Sequence, residues 1–328
     1  MKPFVKYAGG KSKEADLVIK YMPKNYNRYF EAFVGGGSIY FALENPKSYI
    51  NDFSEDLISL YNCTKNEDKS FFSYIISFND LYKDIEKDAF HKSYLKENEL
   101  YKKFYNSAMN KKKKTIAKLK EEGNTITKDN LKLIELTARK TAIYMLIRYY
   151  YNEDENYAKR IASYYFLREY CYSSMFRFSK TGKFNVPFGG ISYNQKTLDD
   201  KIKYIKSDEF KKLLKTTMIE NLDFEVFLNK YDLKEDDFLF LDPPYDSDFS
   251  TYDNNPFDKN EQIRLRDVLA RTRAKWMLII KKTDFISDLY KEFYIYEYDK
   301  NYSVSFKNRN DRQVKHLLIT NYEVKNNG

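Results

Sequence analysis

The chain has 328 residues, a formal net charge of +9, a pI of about 9.0 and a mean hydropathy of −0.72. No apolar run approaches the length of a membrane span, and MKPFVKYAGG lacks the apolar core of a signal peptide, so we expect a cytoplasmic protein without membrane contact. The cysteines, Cys63 and Cys171, are far apart, which argues against a disulfide framework and a metal site. A basic surface rich in aromatic side chains suits binding to a polyanion whose bases stack on those side chains. The alternative explanation of this amino-acid composition is an AT-rich genome.

Short apolar and aromatic runs, typical of β-strands, recur in the first and last parts of the chain. They lie at residues 28–34, 48–52, 216–221, 238–242, 275–280, 294–299 and 316–322. Helical patterns separate several of these runs, for example at 261–273 and 285–293. Strands that alternate with helices favour an α/β fold organised around one sheet.

The middle of the chain has a different composition. Residues 65–140 are helical in pattern, nearly free of Gly and Pro, and carry 17 Lys and one Arg against 12 acidic residues. The lysine run at 111–114 is interpreted either as a solvated helical face or as a non-specific contact to phosphate groups.

From residue 164 to residue 190 the pattern changes again, to aromatic and basic stretches on both sides of a Thr-Gly turn. This pattern predicts a hairpin or loop that carries Arg177. We interpret residues 65–194 as one inserted, mainly helical domain. It interrupts an α/β domain that is formed by residues 1–64 and 195–328.

A buried strand at 238–241 ends abruptly at Asp242, Pro243, Pro244 and Tyr245. Proline has no N–H for a sheet ladder, and it restricts the residue before it to extended conformations. The acid and the tyrosine are therefore held rigidly just past the carboxyl end of a strand. In open α/β sheets that edge binds ligands, and a surface turn with a capping acid is the alternative.

Three consecutive glycines, Gly35, Gly36 and Gly37, separate the first strand from a helical pattern. Glycines at such a turn let the backbone approach a ligand closely. Asp52, at the end of the next strand, is placed to accept hydrogen bonds from ribose hydroxyls. The pattern favours a nucleoside-containing cofactor, and a plain turn is the alternative.

Two further stretches belong to the same constellation. Gly9 and Gly10 lie between lysines, which suits the binding of an anion. Asp223 follows the third strand-like run. Four strand ends, which carry the glycine triplet, Asp52, Asp223 and Asp242, are thus expected to meet at one edge of one sheet.

Eight stretches, in this order, resemble the Dam-type DNA adenine-N6 methyltransferase family, whose members use S-adenosylmethionine. They read KYAGGK, YFEAFVGGGSIYF, INDFSEDLISLYN, RFSKTGKFNVPFGG, NLDF, FLFLDPPY, IRLRDVL and LLITNY. The resemblance implies a Rossmann-like methyltransferase sheet with an inserted, mainly helical DNA-binding domain that carries a hairpin. It also implies site-specific methyl transfer to the N6 amino group of a flipped adenine in double-stranded DNA, in a GATC-like site.

The resemblance implies cofactor contacts in four segments of the chain. The methionine end of S-adenosylmethionine would be lined by Lys6, Tyr7, Gly9, Gly10 and Lys11. Its main cradle would be formed by Glu31, Phe33, Gly35, Gly36 and Gly37, with Asp242 nearby. Asp52 would take the ribose hydroxyls, and Asp223 with Phe224 would receive the adenine of the cofactor.

The stretch after the fourth strand would act on the target base. The carboxylate of Asp242 and the carbonyl of Pro243 would accept the two hydrogens of the amino group, aimed by the fixed φ of Pro243 and Pro244. Tyr245 would stack on the flipped base. The sulfonium of the cofactor is already a good leaving group, so that no metal is needed.

Residues 172–187 resemble the DNA-reading hairpin of the family and would contact DNA through Tyr172, Met175, Arg177 and Pro187. Arg177 would donate to the O6 and N7 atoms of a guanine. Tyr172 would wedge into the stack where the adenine has left. Contact of Arg177 with a phosphate is the alternative.

Departures from the family pattern include Tyr7 in place of a tryptophan, and Ser173 with Ser174 in place of Asn-Gly before the reading arginine. They bear on the recognised DNA sequence more than on the chemistry of methyl transfer.

A non-catalytic DNA-binding module and an RNA adenine methyltransferase are the rival interpretations. A cognate restriction endonuclease is a candidate partner, and the oligomeric state is open.

Overall fold

The computed structural model describes residues 1–7, 9–11, 14–244, 257–301 and 313–324 of the chain. These residues contain a seven-stranded sheet. Its strands are β1 (Tyr29–Glu31), β2 (Ser48–Asn51), β3 (Met218–Glu220), β4 (Phe238–Leu241), β5 (Lys275–Lys281), β6 (Tyr294–Asn301) and β7 (Gln313–Thr320). Each of the seven strand-like runs predicted from the sequence coincides with one of these strands.

The strand order in the sheet is β3-β2-β1-β4-β5-β7-β6. The five strands from β3 to β5 are parallel, and β7 is antiparallel to both β5 and β6. This topology confirms the predicted α/β fold class. Because β1 pairs with β2 on one side and with β4 on the other, the strand order reverses at β1 and β4. The carboxyl ends of strands at such a reversal are where open α/β sheets bind ligands.

The described residues form thirteen α-helices. They are α1 (Ala15–Tyr21), α2 (Ser38–Leu43), α3 (Glu55–Lys65), α4 (Lys69–Asp84), α5 (Asp88–Glu97), α6 (Glu99–Glu121), α7 (Lys128–Glu153), α8 (Tyr157–Tyr170), α9 (Asp199–Ile205), α10 (Asp208–Thr216), α11 (Phe224–Lys230), α12 (Lys259–Arg271) and α13 (Asp284–Leu289). The helical patterns predicted at 261–273 and 285–293 correspond to α12 and α13.

The central strands are almost continuous apolar runs because both of their faces are buried. All four residues of β4 and five consecutive residues of β5 are buried. They share one core with apolar residues of α11, α12 and α13, among them Phe227, Leu265, Leu269 and Ile286. Each of these helices begins at a side-chain cap, supplied by Asp223, Asp258 and Thr283.

The chain divides into two compact units. The first contains the sheet and is formed by Met1–Pro3, Gly9–Tyr61 and Lys212–Gly328. The second is mainly helical and is formed by Phe4–Ala8 and Asn62–Lys211. The insertion expected at 65–194 lies within the second unit, and the assignment of this insertion to DNA binding stays a prediction.

The helical unit is built around α4, α7 and α8. Helix α7 begins at a capping box, in which Thr127 and Asn130 exchange side-chain to backbone hydrogen bonds. Residues 161–170 of α8 are all buried. The prediction that a hairpin pattern starts at 164 is therefore wrong for residues 164–170, which form the end of α8. A helix buried on every side has no polar face, and hence no visible helical period.

Both cysteines, Cys63 and Cys171, are buried free thiols. Burial raises the pKa of each thiol to about 11, so that both are protonated at neutral pH. None of the helices in the described part of the chain is long and apolar enough to cross a membrane.

Candidate active site

The loop after β1 is a glycine turn with little room for side chains. Gly35 and Gly37 have φ values of 49° and 73°, in the left-handed region that favours glycine. A Cβ atom on Gly37 would lie 2.6 Å from the hydroxyl oxygen of Tyr61 and 2.9 Å from the ring of Phe41. The Tyr61 hydroxyl also donates to the carbonyl of Gly35, at 3.2 Å. The backbone of the turn is thus packed closely against side chains of α2 and α3, which requires glycine at position 37.

Asp52 follows β2 directly and faces the glycine turn. Its Oδ2 accepts a hydrogen bond from the N–H of Gly35 at 2.9 Å, and its Oδ1 accepts one from the N–H of Ser54 at 3.0 Å. Because β1 and β2 are adjacent and parallel, their carboxyl ends bring the acid and the turn together. The structure therefore unites two of the predicted cofactor segments.

An asparagine that was not predicted from the sequence joins the end of β2 to two loops beside the site. The buried Asn51 donates from Nδ2 to the carbonyls of Ala32, at 3.1 Å, and Leu222, at 2.9 Å. Its Oδ1 accepts from the N–H of Leu222 at 2.8 Å. The carboxyl end of β2 is therefore tied to the segments after β1 and β3. Asn51 lies in the INDF stretch, but nothing local indicates this role, because its partners are 19 and 171 residues away in sequence.

Glu31 ends β1 as a buried carboxyl group. Its Oε2 accepts a hydrogen bond from the hydroxyl of Tyr29 at 2.6 Å. Burial raises the pKa of Glu31 to about 8, and the negative charges of Asp242 and Asp52 add to the increase while the Tyr29 hydrogen bond opposes it. Glu31 forms no ion pair within the described residues. A buried carboxyl group of this kind suits a ligand that brings a positive charge.

Asp223 and Phe224, which follow β3, are held by an arginine of α12. Asp223 accepts from the N–H of Glu225 as the cap of α11, and it forms a two-pronged ion pair with Arg264, at 3.1 and 2.6 Å. The guanidinium of Arg264 lies 4.3 Å from the centroid of the Phe224 ring. The carboxylate of Asp223 therefore contributes to the fold, and contact of Asp223 and Phe224 with the adenine of the cofactor stays a prediction.

An aromatic trio lies next to the glycine turn. The Phe33 ring centroid is 5.6 Å from those of Phe224 and Phe257, which are 5.7 Å from each other. Phe224 and Phe257 are buried, whereas Phe33 is partly exposed. Phe33 thus forms an apolar wall two residues before Gly35. Phe257 was not predicted, because no motif surrounds it.

Asp242 lies at the end of β4, the strand next to β1. The Nζ atom of Lys11 donates to its Oδ1 at 2.5 Å and to the carbonyl of Gly9 at 3.2 Å. Lys11 is only 3% exposed, and Asp242 is 19% exposed. Gly9 has a φ of 79°, and Gly10 is exposed. Lys11, predicted at the methionine end of the cofactor, thus directly contacts the predicted catalytic carboxylate.

The Pro-Pro segment after Asp242 is tied to α12. The buried side chain of Gln262 donates from Nε2 to the carbonyl of Pro244 at 3.0 Å. Pro243 is buried and Pro244 is half-buried. This hydrogen bond restricts the orientation of the neighbouring Pro243 carbonyl. Tyr245 lies outside the described residues, and its stacking role stays a prediction.

Lys6 and Tyr7 belong to the helical unit. The N–H of Lys6 donates to Oε1 of Glu169 at 3.1 Å. The ring of Tyr7 lies under the guanidinium of Arg168, with 4.4 Å between the ring centroid and the guanidinium carbon. Contact of Lys6 and Tyr7 with a cofactor stays a prediction.

Residues 172–187 begin with a 3-10 turn at Tyr172–Ser174 and continue as a short hairpin, whose antiparallel bridge joins Phe178 to Phe184 and whose turn is closed by a hydrogen bond from the N–H of Ser179 to the carbonyl of Lys183, at 2.8 Å. Its buried residues include Phe176, Phe184 and Val186. The four predicted DNA contacts are all exposed: Tyr172, Met175, Arg177 and Pro187. Arg177 donates from Nε to Oδ1 of Asn185 at 3.2 Å. Their role in DNA contact stays a prediction.

Ser173 and Ser174 have φ values of 51° and 54°. The left-handed conformation costs a residue with a Cβ about 1–2 kcal/mol, whereas Asn and Gly adopt it readily. Asn-Gly, the pair that the family resemblance places here, would adopt these φ values more readily than Ser-Ser. Strained backbone of this kind concentrates at binding sites.

A sequence profile for D12 class N6 adenine-specific DNA methyltransferases matches residues 7–304. The chain is 29% identical to the type II methyltransferase M.CviBI of Paramecium bursaria Chlorella virus NC1A, over 98% of this chain and 100% of that protein. It is 28% identical to the type II methyltransferase M.MjaIII of Methanocaldococcus jannaschii, over 98% and 99%. It is 22% identical to a DNA adenine methylase of Vibrio cholerae, over 82% of this chain and 76% of that protein.

The matched residues include the glycine turn, Asp52, Asp242 and the hairpin. The strand order, with one antiparallel strand beside β5, is consistent with a Rossmann-like methyltransferase sheet. The resemblance seen in the sequence is thereby confirmed, and the rival interpretation as a non-catalytic module is set aside. The chain belongs to the D12 class N6 adenine-specific DNA methyltransferases.

Proposed function

We propose that this methyltransferase transfers the methyl group of S-adenosylmethionine to N6 of an adenine that is flipped out of double-stranded DNA, in a GATC-like site. The observation that carries the proposal is the position of Asp242. This acid ends β4 directly beside β1, whose following loop is the glycine turn. An acceptor for an amino group and a backbone cradle thus lie on neighbouring strands.

The residues around the glycine turn fit S-adenosylmethionine. Phe33 offers an apolar ring two residues before Gly35, whose N–H is bonded to the Asp52 carboxylate. Glu31 is a buried carboxyl group that suits a positive charge. Asp52 offers two acceptor oxygens to ribose hydroxyls. When bound, the cofactor supplies a methyl group on a sulfonium leaving group.

The adenine amino group is a weak nucleophile because its lone pair is delocalised into the ring. Acceptors on both of its hydrogens, the carboxylate of Asp242 and the carbonyl of Pro243, would localise that lone pair on nitrogen. Lys11 holds one oxygen of Asp242, and Gln262 holds the peptide of Pro244. These acceptors are therefore already oriented before the base binds. Such preorganised hydrogen-bond acceptors are the main source of catalysis in a site of this kind.

Methyl transfer from labelled S-adenosylmethionine to short duplexes tests the proposal. We expect label in N6-methyladenine after digestion to nucleosides, and none in a duplex whose GATC adenine is already methylated. An RNA duplex of the same sequence should receive no label, and label in RNA but not DNA would contradict the proposal. Sequencing that detects N6-methyladenine in cells expressing the protein reads the target directly. A consensus unrelated to GATC would overturn the site but not the chemistry.

Asp52→Ala should weaken binding of the product S-adenosylhomocysteine by roughly 1–3 kcal/mol, because it removes the hydrogen-bond acceptors for the ribose. Calorimetric titration measures the effect. Glu55→Ala is the matched control, since it removes an exposed acid three residues further on and should leave the affinity unchanged. Equal affinities of Asp52→Ala and wild type for S-adenosylhomocysteine would show that Asp52 does not contact the cofactor.

Arg177→Ala should relax selectivity at one guanine of the target by about 1–3 kcal/mol while slow methylation of altered sites persists. The reason is that a guanidinium at the exposed side of the hairpin can donate to O6 and N7 of one guanine. Transfer rates on all single-base variants of the preferred site measure the effect. Lys180→Gln, an exposed charge at the same turn, is the control and should lower all rates alike. A uniform loss in Arg177→Ala would identify a phosphate contact instead.

We also propose that the protein acts in the cytoplasm alongside a restriction endonuclease of the same specificity. The proposal rests on two relatives, M.CviBI and M.MjaIII, which are named type II methyltransferases. Extracts of the source cells should cleave an unmodified plasmid and spare a plasmid premodified by this protein. Absence of any such cleavage would favour a solitary enzyme.

A further inference from the structure

Helix α6 of the helical unit carries a long run of positive charge. Residues 100–120 contain eight lysines and no Asp or Glu. The lysines are Lys102, Lys103, Lys111, Lys112, Lys113, Lys114, Lys118 and Lys120. All are exposed except Lys112, which is half-buried. None of them belongs to the hairpin that is proposed to read the target.

The opposite face of α6 fixes the direction in which these lysines point. Tyr101 and Ala108 are buried, and Ile116 and Leu119 are half-buried, so an apolar seam with helical spacing lies against α7. The hydroxyl of Tyr101 is 2.9 Å from Nδ1 of His91, which anchors the beginning of this seam. Rotation of α6 about its axis would break this seam, so the remaining face is held towards solvent.

Four of the lysines form one line on that outward face. An α-helix turns about 100° per residue, which places Lys103, Lys111, Lys114 and Lys118 within about 80° of one another. These four residues are called the lysine stripe. The stripe extends about 22 Å along the helix axis, at 1.5 Å per residue. One strand of DNA carries about six phosphates over that length.

The charge of the lysine stripe is largely uncompensated by the protein itself. Among the described residues, the ion pairs of the α6 lysines are Lys102 with Glu99, at 3.2 Å, and Lys118 with Glu122, at 3.8 Å. Both acids lie at the ends of the helix, and the other three lysines of the stripe have no ion pair in the described chain. An ordinary solvated helix face mixes both signs at i, i+4 spacing. The composition of α6 fits a polyanionic partner better.

We propose that the lysine stripe binds the phosphate backbone of duplex DNA in the sequence that flanks the methylated site. The proposal rests on the proposed DNA substrate. Lysine is a compact point charge that contacts phosphate without reading bases, so this contact adds affinity and length of footprint but no sequence selectivity. The hairpin then determines which site is methylated, and the stripe determines how much surrounding duplex contributes to binding.

The test compares two variants that each lose four positive charges. The stripe variant changes all four lysines of the stripe to glutamine. The matched control changes four exposed lysines at the amino ends of parallel strands, on the sheet edge opposite Asp242: Lys24, Lys47, Lys234 and Lys275. A third variant, with arginine at the four stripe positions, restores the charge. Thermal unfolding of all variants checks that they are folded.

Affinity is measured at several salt concentrations for duplexes that share one central site and differ only in flank length. Wild type, control and arginine variant should bind more tightly as the flanks lengthen. For the stripe variant, the ratio of the affinities for the longest and the shortest duplex should be at least about tenfold smaller than for the wild type. The slope of its log affinity against log salt concentration should be smaller in magnitude by about 2–4 on the longest duplex. On the shortest duplex all proteins should bind alike.

Two results would overturn the proposal: a stripe variant that behaves like the control, or one that is equally weakened on short and long duplexes. If glutamine at four positions unfolds the protein, the pairs Lys103 with Lys111 and Lys114 with Lys118 are changed separately, and each should give part of the flank effect. Failure of the wild type to transfer methyl groups would count against the proposed function alone, because the flank dependence is measured without chemistry.

Discussion

Asp242→Ala is expected to lower the single-turnover rate of methyl transfer by about 100-fold or more, while affinity for S-adenosylhomocysteine changes by less than about tenfold. Loss of one preorganised hydrogen-bond partner of the transition state costs about 10²–10³ in rate. The glycine turn, Glu31 and Asp52, which are expected to hold the cofactor, remain intact. Rapid-quench measurement of one turnover, with calorimetry on the product, separates the two effects.

The ion pair between Lys11 and Asp242 makes a stability control necessary for that experiment. Its ammonium group is only 3% exposed and contacts the Asp242 carboxylate, so Asp242→Ala leaves a buried charge without this partner. Breaking a buried ion pair costs about 3–5 kcal/mol of stability. Asp242→Asn keeps an oxygen for Lys11 and should regain most of that stability; because its amide oxygen is also an acceptor for the amino group, it controls for stability and does not test the catalytic role. A folded Asp242→Ala variant that keeps more than about a tenth of the rate, a loss under about 1.4 kcal/mol, would exclude the catalytic role.

Glu31→Gln is expected to remove a pH dependence of stability. The pKa of Glu31 is raised from 4.5 to about 8 in the folded protein, chiefly by burial. Between these two values the folded state binds one proton more than the unfolded state. The free energy of unfolding of the wild type should therefore fall as pH rises from about 4.5 to 8, by several kcal/mol at about 1.4 kcal/mol per unit. Urea unfolding over this range should give a flatter curve for Glu31→Gln, with higher stability at pH 8.

The same carboxyl group should make cofactor binding release protons. A ligand that brings a positive charge next to Glu31 favours its ionised form. At pH 7, where free Glu31 is mostly protonated, binding of S-adenosylhomocysteine should release close to one proton from the wild type. Calorimetry in two buffers of different ionisation enthalpy counts the protons. Equal release by wild type and Glu31→Gln would place the charged group of the ligand elsewhere.

The sequence was sufficient for the sheet and for the strand ends that carry the site. Buried strands such as β4 are short apolar runs that end at prolines or glycines, and parallel strands bring their carboxyl ends to one edge. Asp52 and Gly35 could therefore be expected to meet before any coordinates were known. The first four strands are shorter than predicted, in β1 because Ala32 and the residues after it already leave the ladder towards the glycine turn, whereas β5, β6 and β7 are longer than predicted.

The contacts that position the site were not predictable in the same way. Lys11 and Asp242 are 231 residues apart, and Arg264 and Asp223 are 41 residues apart. Nothing local distinguishes a buried lysine from an exposed one in a chain this rich in lysine. The contact of Gln262 could not be predicted either, because its partner is a backbone carbonyl, which every residue carries. Such contacts depend on which loops the sheet order brings together, and single-sequence patterns do not encode that order.

The place of β1 in the sheet has a consequence for synthesis of the chain. β1 pairs on one side with β2, which begins at Ser48, and on the other with β4, which begins at Phe238. A ribosome that adds about 5–20 residues per second needs about 10–40 s to make the chain between β1 and β4. Throughout that interval one edge of β1 has no strand to pair with, and an unpaired apolar edge is a template for aggregation. We therefore expect the yield of active enzyme in a cell to depend on the speed of translation.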